Sequence, residues 1–174
     1  MQLKTAVAML LKQSVIPKER LQIDLKELNQ LLKRFDLACV LLDDCYCLFN
    51  TASDCSVGYP PQQLEYFKST VKTIILQQDY CVPVSSLDAA MLALFVRDHW
   101  LAVDEDKVFL GLKSRLELSS YLQQYDLCEC ALCQDLVVAR HLVCACSVRI
   151  HAKCAARIAE CPACHVQLPT SIAA

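Results

Sequence analysis

Between residues 130 and 164 the chain carries four close pairs of thiol or imidazole side chains: Cys130 with Cys133, Cys144 with Cys146, His151 with Cys154, and Cys161 with Cys164. A pair this close, on a tight turn, presents two ligands to one ion with little strain, and tetrahedral zinc takes four such ligands. Eight ligands therefore make two complete sites. A segment of about 40 residues is too small to stabilise itself by burying apolar surface, so two zinc ions would have to hold its fold together. Scattered core cysteines would not fall into this spacing. Three alternatives stay open: Cys128 in place of Cys130, His141 in place of a member of the second pair, and His165 in place of Cys164. Each breaks a short gap or leaves a better thiolate unused. Cys39, Cys45, Cys47, Cys55 and Cys81 have no partners at ligand spacing and read as small apolar residues.

The ligand order, four Cys, one His, three Cys, is shared by RING variants and PHD fingers. In both, pairs one and three hold one ion and pairs two and four hold the other. Zinc one is therefore expected on Cys130, Cys133, His151 and Cys154, and zinc two on Cys144, Cys146, Cys161 and Cys164. PHD fingers usually carry a Trp shortly before the last cysteine pair, and the only Trp here is Trp100, upstream of the whole cluster. Conversely, Cys161-Pro162-Ala163-Cys164 and the apolar Leu132 just before Cys133 resemble the RING surface that docks a ubiquitin-conjugating enzyme. That resemblance implies a docking patch of Leu132, Ile158 and Pro162. His165 stands where such ligases often have an Arg or Lys, and a largely neutral imidazole does that job less reliably at pH 7.

Thirteen cysteines could also mean a disulfide-rich secreted chain, but such a chain needs a signal peptide. The nearest candidate, Thr5 to Leu11, is short and closed off by Lys12; Leu3, Val7, Leu10 and Leu11 instead share one face of an amphipathic helix. No apolar run approaches the roughly 18 residues that span a bilayer. The expectation is an intracellular protein with reduced thiols and no membrane association. The 17 basic and 19 acidic residues are spread along the chain, without the basic stripe of an independent nucleic-acid binder, so DNA contact is expected to be indirect or weak. Hydrophobic residues make up 55% of the chain, and part of that excess is expected on a partner interface.

Upstream, apolar periodicity predicts helices over Leu3–Gln13 and Leu21–Phe35, the latter with Asp24 as an N-cap, then a hairpin of Ala38–Leu42 and Tyr46–Asn50 around Asp43 and Asp44. Thr51 to Pro61, with Gly58 and Pro60–Pro61, reads as a linker. The pattern then recurs: helices over Gln62–Gln78 and Ser86–Asp98, a hairpin of Trp100–Val103 and Val108–Leu110, and a last helix over Leu112–Tyr125. Helices followed by a hairpin make a winged-helix pattern. The fold class expected is α+β, with two small winged-helix-like modules, 1–58 and 59–126, followed by a variant RING with two cross-braced zinc sites over 127–170.

Taken whole, the chain resembles non-SMC element one, the RING-bearing subunit of the chromosome-maintenance complex built on the fifth and sixth SMC proteins. The stretches that carry the resemblance are Asp98-His99-Trp100-Leu101, Leu110 to Leu122, Cys130-Ala131-Leu132-Cys133, Cys146-Ser147-Val148-Arg149-Ile150-His151 with Cys154, and, more weakly, Asn50-Thr51-Ala52-Ser53. Four residues between the fourth cysteine and the histidine exceed the gap in common RINGs and are a feature of that family. The resemblance implies a ubiquitin ligase subunit that binds a MAGE-like winged-helix partner and a kleisin subunit, recruits a conjugating enzyme, and acts in DNA repair at chromosomes in the nucleus. An alternative is a non-catalytic adaptor whose RING is a zinc-stapled docking surface. Two gaps depart from the family. The 18 residues between Cys81 and Trp100 are too few for two helices, which implies degenerate winged helices, and the six between Cys154 and Cys161 shorten the RING's central helix.

Overall fold

The computed structural model describes residues 3–52 and 58–168. Cys55, Ser53, the middle of the expected linker and the last two residues of the expected zinc domain lie outside them.

The first module begins with α1 (Leu3–Lys12), whose Ala6 and Leu10 are buried. It continues through β1 (Val15–Pro17), a single 3-10 turn at Lys18–Arg20, α2 (Leu25–Leu32), and a hairpin of β2 (Leu37–Leu42) and β3 (Cys45–Asn50). The helix expected over Leu21–Phe35 is shorter at both ends. The Asp24 carboxylate accepts the N–H groups of Lys26 (2.8 Å) and Glu27 (3.3 Å), which starts the helix at Leu25 and leaves Leu21 free to plug the core. A 3-10 turn at Lys33–Phe35 and a left-handed Asp36 (φ 53°) end it. The Asn29 side chain then grips the backbone of Cys39, donating to its carbonyl at 2.8 Å and accepting from its N–H at 2.7 Å, which locks α2 onto β2. Asp43 and Asp44 are both left-handed, as a two-residue hairpin turn requires.

The second module repeats the order. Pro61 opens α3 (Pro61–Leu76) at a position where its missing N–H costs nothing. β4 (Val82–Pro83), a 3-10 turn at Val84–Ser86, α4 (Ala89–Arg97), β5 (Leu101–Asp104) and β6 (Lys107–Leu110) follow. The Asp88 carboxylate caps α4 through the Met91 N–H at 2.9 Å. Sheet order is β1-β3-β2 in the first module and β4-β6-β5 in the second, antiparallel throughout. This is winged-helix topology with the middle helix reduced to one turn, the trimming that the short gap before Trp100 implied. Strands β1 and β4 were not foreseen; each ends in a proline on the sheet edge, where no ladder donor is lost.

Phe67, Phe95 and Trp100 form the centre of the second core, with ring centroids 5.0 and 5.2 Å apart. The single helix expected over Leu112–Tyr125 is split into α5 (Leu112–Glu117) and α6 (Ser119–Leu122) at Leu118, whose ψ of 11° leaves the helical range. The zinc domain holds β7 (His141–Val143), β8 (Arg149–His151) and α7 (Ala152–Ala155) around Val137, Leu142 and Ile150. Its core and that of the second module exchange residues: Val138 packs with the second module and Tyr80 with the zinc domain.

Candidate metal centre

Two tight turns supply half the ligands, and they are built alike. In the first, the Cys130 N–H donates to Asp135 O (2.9 Å) and the Gln134 N–H to Cys130 O (2.9 Å), closing on a left-handed Gln134 (φ 63°). In the last, the Cys161 N–H donates to Val166 O (2.8 Å) and the His165 N–H to Cys161 O (2.9 Å), closing on a left-handed His165 (φ 59°). His is among the side chains that tolerate this backbone, so His165 occupies the place of Gln134 in the sister turn. Backbone N–H groups also aim at the leading sulfur of each turn. At Cys161 the N–H of Ala163, with that of Cys164 against the opposing effect of burial, holds the thiol down to about 7. At Cys130 burial pushes the other way, yet the N–H groups of Cys133 and Leu132 outweigh it and the thiol still lies below its usual value.

The hairpin of β7 and β8 supplies Cys144, Cys146 and His151, and α7 supplies Cys154. Its turn brings the Cys144 N–H to Val148 O (2.9 Å) and the Ser147 N–H to Cys144 O (2.8 Å), with Ser147 left-handed (φ 68°) and Cys146 at the tip. Strand β8 then runs back and sets His151 opposite His141. The long gap between Cys146 and His151 is thus the turn plus the strand. His151 is buried, which disfavours its charged form and lowers its pKa, and its Nε2 lies 3.1 Å from Leu136 O. A hydrogen bond there leaves Nδ1 bare, the arrangement that orients a metal-bound imidazole.

The resulting groups are Cys130, Cys133, His151 and Cys154, and Cys144, Cys146, Cys161 and Cys164, the ligand atoms within each lying no more than 4.8 Å apart. With Zn–S bonds of about 2.3 Å, the edge of a tetrahedron is about 3.8 Å. Cys133 Sγ to His151 Nδ1 is 3.3 Å, Cys144 Sγ to Cys164 Sγ 3.5 Å and Cys146 Sγ to Cys161 Sγ 3.7 Å. Both donor sets fit zinc, and they interleave along the chain, so each ion bridges segments the other does not. Cys128, His141 and His165 lie outside both groups; His141 instead sets its Nδ1 3.0 Å from Ala139 O. Burial raises Cys39 to about 11 and Cys47 to about 12, as befits inert apolar residues, while Cys45 and Cys81 are half-buried.

The expected docking residues differ in exposure. Leu132, 39% exposed, projects from the first turn and Pro162 is exposed on the last, while Ile158 is half-buried against the zinc-domain core and His165 is exposed. Helix α7 has only four residues, as the short gap after Cys154 implied.

Sequence reasoning missed the residues that seat the zinc domain. The Arg149 guanidinium donates to Gln78 O at 2.6 Å and lies 4.8 Å from the Tyr80 ring centre, and the Tyr80 hydroxyl accepts the Cys128 N–H at 3.2 Å. Only the unusual Cys146–His151 gap, which contains Arg149, could have pointed there.

Among solved structures, the chain is similar to a chain of the Nse1-Nse3-Nse4 complex, with a TM-score of 0.73 at 17% sequence identity, over 98% of this chain and 97% of that one. No protein-family model matches the sequence, and no curated protein does.

Proposed function

We propose that the chain is the RING-bearing non-SMC element one subunit of an SMC-type chromosome-maintenance complex, working as a ubiquitin ligase subunit in DNA repair. One observation carries the reading: a cross-braced pair of four-ligand cages follows two winged-helix modules, in a chain similar over nearly its whole length to a chain of the Nse1-Nse3-Nse4 complex. The three hydrophobic clusters support units of 1–58, 59–126 and 127–170. A MAGE-like winged-helix subunit and a kleisin subunit are the partners, the nucleus is the location, and DNA contact is indirect or weak.

Zinc in this setting shapes a surface and performs no covalent step. Cys130, Cys133, His151 and Cys154 hold one ion, and Cys144, Cys146, Cys161 and Cys164 the other. Leu132, Ile158 and Pro162 offer an apolar patch to a conjugating enzyme, and His165 stands at its edge. Catalysis is then positioning, with the thioester of the charged enzyme held ready for attack by an acceptor amine. No nucleophile or general base is required of this chain.

A second reading rests on the four-residue α7: a central helix that short gives a conjugating enzyme little to grip, and the zinc domain would be an adaptor. An in vitro ubiquitination assay with the purified MAGE-like partner separates the two. Leu132→Ala is expected to reduce chain formation about tenfold or more, the cost of losing a docking hot spot, with two equivalents of zinc retained. No chain formation by wild type across a panel of conjugating enzymes would leave the adaptor.

A further inference from the structure

The two wing turns do not point away from the body. The tip of the first wing, Asp43, places Oδ2 2.6 Å from Arg115 Nη1 on α5 and Oδ1 on Lys153 Nζ of α7, so one carboxylate joins all three modules. In the second wing, Asp104 pairs with Arg140 of the zinc domain at 2.7 Å. Each acidic wing turn therefore meets a cation of the zinc domain. The Arg115 side chain is only 12% exposed, but Asp43 and Lys153 are partly open to solvent, as are both members of the Asp104 pair.

Beside these ion pairs a cleft of about 550 Å³ opens between the first wing and the zinc domain, lined by Leu41 and Asp43 of the wing, by Arg115, and by Arg157 together with His151 and Cys154 of the first ligand cage. Elsewhere the zinc domain is joined to the second module by apolar packing, with Val138 and Tyr80 exchanged between the cores and Arg149 laid on Tyr80. One attachment is hydrophobic and continuous; the other is ionic and lies beside a cleft. Hydrophobic packing is little affected by salt, while ion pairs near the surface are screened by it, with a Debye length of roughly 8 Å at 0.15 M and 3 Å at 1 M.

We propose that the winged-helix wings act as ionic latches, Asp43 the main one and Asp104 the lesser, that fix the orientation of the zinc domain, and that releasing them lets the domain swing about the Tyr80–Val138 junction and widen the cleft. Leu132, Ile158 and Pro162 do not line this cleft, so the latch directs the docking face without covering it. The inference holds whether that face recruits a conjugating enzyme or another protein.

The test uses the full chain, loaded with zinc, as wild type, Asp43→Asn and Lys153→Gln, followed by hydrogen exchange and small-angle scattering at 0.15 and 1 M salt. In both variants, backbone exchange over 152–157 is expected to rise about tenfold and the radius of gyration to increase. Amides over 136–138 should stay protected and zinc content remain at two equivalents. Wild type at 1 M salt should move toward the variants. Unchanged exchange and scattering in both variants would overturn the latch. So would a uniform rise that includes 136–138, because the domain would then be unfolding or detaching, not pivoting.

Discussion

Removing the Arg149 side chain tests whether the zinc domain is seated on the second module as described. Arg149→Ala deletes a charged hydrogen bond to Gln78 O and a cation–π contact with Tyr80. Such a bond is worth about 1.5–3 kcal/mol and an exposed cation–π contact about 0.5–1 kcal/mol. Arg149 is half-buried, so water recovers part of both, and a net loss of about 1–2 kcal/mol at the junction remains. The Val137 N–H, which donates to Cys128 O at 2.8 Å beside the junction, is a suitable reporter. Its exchange should accelerate roughly five- to thirtyfold. Because Arg149 lies between Cys146 and His151, zinc content must be shown to stay at two equivalents. Tyr80→Leu approaches the same contact from the other side, away from the ligands, and the pair should couple by at least about 0.5 kcal/mol in a double-mutant cycle. Unchanged exchange in Arg149→Ala, or strict additivity with Tyr80→Leu, would refute the proposed seating.

Gly111→Ala should destabilise the second module, since a Cβ there would lie 2.3 Å from His99 O and 2.9 Å from the Trp100 carbonyl carbon, both backbone atoms that cannot rotate away. Overpacking costs about 1–3 kcal/mol, so the urea midpoint should fall by about 1 M; a shift under about 0.3 M would contradict the close approach. Acid should weaken the zinc domain. Burial lowers the pKa of His141, which lies outside both ligand groups, so the unfolded chain, titrating near 6.5, takes up protons first. Stability is therefore complete above about 6.5 and lost as pH falls below it. His141→Gln should lessen that dependence in thermal melts at pH 7.5 and 5.5; an unaltered pH profile would contradict the assignment to His141.

The zinc ligands could be read from the sequence because their chemistry is local. A thiolate pair on a tight turn is the same object wherever it sits, and the interleaving follows from the order of the pairs. The hairpins were readable for a related reason: Asp43–Asp44 and Asp104–Asp106 each separate two short apolar runs. Strands β1 and β4, of three and two residues, are too short to show a period and exist only because a hairpin is there to pair with. The break at Leu118 was hidden by a helical pattern that runs unbroken through it.

The largest gap between sequence and structure concerns charge. Read along the chain, Asp43 is a turn residue, Arg115 belongs to a helix face and Lys153 is a lysine between two ligands. Only the fold brings the three side chains together. The charge pattern along the chain shows no basic stripe, yet it gives no hint that the acidic wing turns meet cations of the zinc domain. A wing that reads DNA needs cations at its tip to meet phosphate; here both tips carry aspartates already engaged by the zinc domain. The charge pattern that argued against one use of the winged-helix fold is thus the chemistry of another, in which the wings hold a neighbouring domain in place.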